Sequence, residues 1–117
     1  EVKDTVAGAI ADDVLFDAFS VLPAIRKTGG TAVSVTDTEM LQAEKLLAQS
    51  AGIFAEPASA ATVAGVKRLI GSGAIRRGDS VCCIITGSGF KDLASAKALV
   101  DTPAAIEPTE EAFLQLA

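Results

Sequence analysis

Three short segments hold residue types and spacings that can do chemistry. The first is Glu56-Pro57-Ala58-Ser59-Ala60-Ala61, an acid placed just before a proline and a run of small residues. A carboxylate there is favoured by the helix macrodipole as a cap, and the same helix start can equally face a ligand. The second is Thr86-Gly87-Ser88-Gly89-Phe90-Lys91-Asp92. Its glycines permit a tight turn and close approach of a ligand, although the spacing is not that of a P-loop. A structural turn and a ligand loop both fit the bare pattern. The third is the small-residue stretch 5–11, which suits either core packing or a pocket wall. No His is present, and Cys82 and Cys83 are adjacent, so zinc-ligand spacing is lacking and no metal site is expected.

The elements that must position these segments can be read from periodicity. Thr31–Val35 alternates and is rich in β-branched residues, which predicts a strand. Thr36-Asp37-Thr38-Glu39 is a capping box, and it opens a helix with Met40, Ala43, Leu47 and Ala51 on one stripe, widened by Leu41 and Ala48. Glu44 is expected away from that stripe, and Gly52 closes the helix. Pro57 opens a second helix, ended by Gly71-Ser72-Gly73. A turn at 76–79 leads into Val81–Ile85, a continuous apolar run typical of a strand covered on both faces. The Gly-rich loop follows at its carboxyl end, where open α/β sheets bind ligands. A further helix is expected within 16–28; Pro23 places its start near Leu22, and Gly29-Gly30 stop it. Residues 92–100 read as a short helix, 101–109 as a linker and 110–116 as a last helical turn. The fold class is therefore α/β, a few-stranded sheet with packed helices over 1–100, with a linker and short helix over 101–117.

Composition narrows the function classes. The 117 residues are half hydrophobic, mostly Ala, Val, Leu and Ile, with five Phe as the aromatic content. A net charge of −5 without basic clusters argues against nucleic acid, and no apolar run approaches a membrane span of about 20 residues. Cys82 and Cys83 read as buried thiols on opposite faces of a strand, which suits a reducing, cytoplasmic compartment. The start lacks Met and runs directly into an apolar stretch, and is read as an excised boundary.

Taken in order, A-V-S-V-T-D-T-E-M, G-I-F-A-E-P-A-S-A-A, the turn-and-strand segment and I-T-G-S-G-F-K-D resemble the C-terminal part of the threonine synthase family. More broadly they resemble the fold-type-II pyridoxal-phosphate enzymes, which include threonine dehydratases. The resemblance covers residues 5–92. It implies that the Thr86 hydroxyl meets the pyridine nitrogen of pyridoxal 5'-phosphate, that Gly87, Ser88 and Gly89 shape the loop beneath the ring, and that Glu56 is an acid near the cofactor. Ala7 and Gly8 match a small-residue segment near that site. The family often carries His where this chain has Ser88, whereas dehydratases usually show a Ser-Gly-Gly loop, so T-G-S-G-F-K-D favours the synthase side.

The same resemblance implies that the Schiff-base lysine and the phosphate loop lie in an N-terminal segment outside this sequence. The chain would supply one wall of the site and be inactive alone, as part of a lyase that converts O-phosphohomoserine to threonine. Lys91 reads as structural or solvated rather than as the reactive lysine. Two rivals stand beside this reading: a dehydratase-like piece, and a free-standing small-molecule-binding or interaction domain. Truncation would bare apolar surface around 5–11 and 58–66, so a homodimer is expected.

Overall fold

A computed structural model describes residues 4–115. Five α-helices run in the order α1 (Ala18–Thr28), α2 (Asp37–Ala51), α3 (Pro57–Gly71), α4 (Leu93–Lys97) and α5 (Glu110–Leu114), with single 3-10 turns at Gly8–Ile10 and Gly89–Lys91. No helix among the described residues is long and apolar enough to cross a membrane.

The core is the α2–α3 pair. The Thr36 side chain accepts from the Glu39 N–H while the Glu39 carboxylate accepts from the Thr36 N–H at 2.7 Å, so the expected capping box starts α2 where the sequence placed it. Gly52 ends the helix in the left-handed region at φ 65°. Pro57 occupies the first turn of α3, where its missing N–H leaves no intrahelical bond unmade. Ala43, Ala60 and Ala64 bury completely between the two helices, with Val35, Leu47 and Val63 packed around them. Alanine at the contact lets the helix axes approach closely, because side-chain size sets the interaxial distance.

Several sequence expectations meet a different outcome. The few-stranded sheet is not confirmed: among the described residues there is no strand ladder, only an isolated antiparallel bridge between Ala55 and Ser88. Residues 31–35 and 81–85 are extended but unpaired. β-Branched composition favours a pleated surface, yet a strand exists only when a neighbour completes its ladder. Residues 33–35 are instead held by side chains: Arg68 donates to the Ser34 carbonyl at 2.5 Å and pairs with Glu39 at 3.4 Å, and Val33 packs on Gly65. Val81 and Ile84 stay exposed, and so does Cys82, while Cys83 is half-buried; both thiols are free rather than buried.

α1 begins at Ala18, upstream of the expected start, with Pro23 in its interior. Its first turn closes on the Asp17 carbonyl, which accepts from the Ser20 and Val21 N–H groups before the proline is reached. No residue of α1 is buried. The small-residue stretch 5–11 contains the 3-10 turn Gly8–Ile10, with Ala7 buried. The turn at 76–79 is present, closed by the Asp79 carboxylate accepting the Arg76 N–H at 2.8 Å. Glu44 is buried in full, contrary to its expected place outside the stripe, because the chain around α4 covers that side of α2. Of the surface expected to be bare around 58–66, Ser59, Ala60, Ala64 and Gly65 are buried.

Candidate functional site

The site is built where the link before α3 meets the Gly-rich loop. The Glu56 N–H donates to the Gly87 carbonyl at 3.1 Å, and the Gly89 N–H donates to the Phe54 carbonyl at 2.9 Å. These two bonds hold residues 54–56 antiparallel to residues 87–89, and they place the Thr86 loop across the first turn of α3. The two segments that sequence reading singled out separately, 56–61 and 86–92, are thus one structural unit.

Both glycines of the loop are required by this contact. A Cβ at Gly87 would lie 2.8 Å from Glu56 Cγ and closer still to its carboxyl group; one at Gly89 would fall 2.7 Å from Phe54 Cζ. Real Cβ atoms do not approach so closely, so a side chain at either position makes the Glu56 side chain or the Phe54 ring shift. The loop is then clamped by an edge-to-face pair of Phe54 and Phe90, with ring centroids 5.0 Å apart.

Glu56 is the N-cap residue of α3, but its carboxylate does not cap the helix. It turns to the Lys91 ammonium at 3.2 Å, with the carboxylate side 11% exposed and the lysine side 66% exposed. The capping reading of Glu56 gives way to an ion pair across the loop, and Lys91 is both structural and solvated. Ser88 turns its hydroxyl back to accept the Phe90 N–H at 3.3 Å, starting the 3-10 turn, and does not face α3. Asp92 accepts from Ser95 through both oxygens, at 3.1 and 2.6 Å; the Ser95 side chain and then its N–H hold the Asp92 carboxyl below the ordinary carboxylate range.

Thr86 is exposed, and its Oγ1 lies 3.1 Å from the Oγ of Ser59. Ser59 Oγ also accepts the Gly87 N–H at 2.7 Å. Ser59 is the residue that sequence reasoning did not single out. Its signal was present: a lone hydroxyl in the first turn of a helix otherwise lined with alanine, on the face that buries.

Residues 5–9 complete the surroundings. Thr5 donates to Asp37 Oδ1 at 2.5 Å and the Val6 N–H to Asp37 Oδ2 at 3.3 Å, which moors this segment to the start of α2. A cleft of about 340 Å³ opens between it, the Glu56-Pro57-Ala58 corner and Asp92–Ser95. Gly8 lines the cleft and Ala7 is buried behind it. Glu56 therefore borders a cavity, whereas Thr86, an exposed residue, does not line it.

The model of the pyridoxal-phosphate dependent enzyme family matches residues 1–87. A threonine synthase of Halalkalibacterium halodurans is 41% identical over 115 residues, which is 97% of this chain and 32% of that protein. Those of Methanosarcina acetivorans and Methanocaldococcus jannaschii are each 44% identical, over 113 and 104 residues, or 28% and 26% of their own lengths. The chain spans about a quarter to a third of the length of these curated relatives.

Proposed function

The chain belongs to the pyridoxal-phosphate-dependent enzyme family, of fold type II, and from that premise we propose that it supplies the C-terminal wall of a threonine synthase-like lyase. The reaction is O-phosphohomoserine plus water to threonine plus phosphate. The reactive lysine and the phosphate loop belong to a part of the protein that precedes these residues. The observation that carries the reading is the Thr86–Gly89 loop seated on the first turn of α3.

The residues present suit the cofactor. Thr86 is an exposed residue with a neutral hydroxyl, and Gly87 and Gly89 beside it let the loop lie close against Glu56 and Phe54. When bound, pyridoxal phosphate supplies an electron sink next to the substrate's amino group. Thr86 would be the residue that donates to the ring nitrogen of the bound cofactor and, being neutral, would not hold that nitrogen protonated as a carboxylate would. The sink would then be weaker, which suits elimination and replacement at β and γ carbons over transamination. Glu56 and Lys91 hold the loop in register and keep a paired carboxylate at the cleft, while residues 5–9 close its far side.

The remaining features agree with a part that docks on more protein. Extended, unpaired residues 31–35 and 81–85 are the strands of a sheet completed by the preceding part. Residues 101–109 are read as a linker that leads into the short helix α5. The protein is cytoplasmic and a homodimer, with an amino-acid substrate and no nucleic-acid partner, in keeping with free thiols and a net charge of −5.

The test is Thr86→Val in the complete protein that carries this chain. Phosphate release from O-phosphohomoserine is expected to fall about tenfold or more, the effect of one lost hydrogen bond at the reacting ring, with a shift in the absorbance of bound cofactor. Unchanged absorbance and unchanged phosphate release would sink the assignment. Release of a keto acid from threonine, with none of phosphate from O-phosphohomoserine, would point to the dehydratase instead.

A further inference from the structure

Ser59 is 2% exposed, and a buried hydroxyl must place its hydrogen on an acceptor. Two groups reach its Oγ among the described residues: the Gly87 N–H at 2.7 Å and Thr86 Oγ1 at 3.1 Å. The first is a donor and cannot take the hydrogen. The Ser59 hydrogen therefore goes to Thr86 Oγ1. Thr86, having received a hydrogen bond from below, keeps its own hydrogen for the exposed side. The bonds run in one direction, from the Gly87 N–H through Ser59 to Thr86 and outward, and each donor in such a chain strengthens the next.

We propose that Ser59 is a positioning residue that commits Thr86 to act as a donor, so that the site selects a ring nitrogen bearing a lone pair over a protonated one. The reversed arrangement, with Thr86 accepting from a protonated ring and donating to Ser59, would strand the Ser59 hydrogen in a buried position. That costs far more than an exposed hydroxyl left to water. The proposal rests on the reading of Thr86 as the partner of the cofactor ring. It adds the direction of the bond and the residue that sets it.

The experiment uses the complete protein loaded with pyridoxal phosphate labelled with ¹⁵N in the ring, followed by solid-state NMR and by cofactor titration. Ser59→Ala removes the donor. Ser59→Cys keeps the volume with a weak donor, and carries the test if the alanine variant does not fold. Both are expected to move the ring ¹⁵N resonance and to weaken cofactor binding about fivefold to tenfold, the effect of one hydrogen bond. Ser59→Thr, which retains the hydroxyl, is expected to restore the parent resonance. In a Thr86→Val background, Ser59→Cys should produce no further shift. A resonance that moves in Thr86→Val but not in Ser59→Cys overturns the role of Ser59 and leaves that of Thr86 intact. A resonance unmoved by Thr86→Val overturns the reading of Thr86 itself.

Discussion

At the scale of single residues, the loop is governed by what has no side chain. Gly87 and Gly89 lie at ordinary negative φ, so their need is for space, not for a left-handed backbone. Gly87→Ala must displace the Glu56 side chain, whose carboxylate pairs with Lys91. Overpacking of this kind costs about 1–3 kcal/mol, and the expected result in the complete protein is a lowered thermal midpoint with weakened cofactor binding. Gly8→Ala is the contrasting case, since a Cβ there meets nothing within 4 Å. Its thermal midpoint is expected to stay at the parent value. Equal effects at the two positions, read by calorimetry, would show that the Glu56–Gly87 contact is not the limiting one.

Among the elements, α2 carries both the best-determined end and the most costly interior residue. Its capping box follows from four residues in a row and needs no tertiary help. Glu44, on the same helix, is 1% exposed, and neither of its carboxylate oxygens has a hydrogen-bond partner among the described residues. Burial, with a smaller contribution from Asp92, raises its carboxyl above the ordinary value of 4.5. The fold thus favours the neutral form. Stability is full at low pH and falls as pH rises through the raised pKa. Glu44→Gln removes the ionisable group at nearly constant shape. The variant is expected to melt higher than the parent near neutral pH, with the advantage shrinking as pH drops below the ordinary carboxylate value. A parent curve that rises with pH in step with the variant would exclude an unpaired Glu44.

Over the whole molecule, the dimensions say that the core is thin. The radius of gyration is 18.5 Å, where a compact domain of this length has about 13 Å. The buried hydrophobic residues are mostly alanine, while Phe16 and Phe19 of the segment leading through α1 are 79% and 95% exposed. Apolar surface on that scale is normally covered by another surface. The isolated chain is therefore expected to associate, chiefly through residues 10–22 rather than through 58–66, which α2 and the loop already cover. Light scattering checks this: a dimer or larger species is expected, and a monodisperse monomer at high concentration that binds no hydrophobic dye would contradict it.

Local chemistry was legible in the amino-acid order. The capping box at Thr36, the helix stops at Gly29 and Gly52, Pro57 in a first turn and the turn at 76–79 each depend on a few neighbouring residues, whose backbone preferences act without tertiary context. The family was legible as well, because E-P-A-S-A-A and T-G-S-G-F-K-D survive as contiguous strings. The start of α1 was misread because a mid-helix proline is tolerated where the carbonyl it leaves unbonded, here that of Phe19, belongs to an exposed residue. The sheet was not legible from these residues alone because pairing is a property of two segments, and 31–35 and 81–85 find no partner among the described residues. That Glu56 faces Lys91, that Gly87 is pressed against Glu56 and that Ser59 lies under Thr86 was decided by the tertiary structure alone. Those contacts join residues about thirty positions apart, and only the docking of the loop on α3 brings them within hydrogen-bond reach.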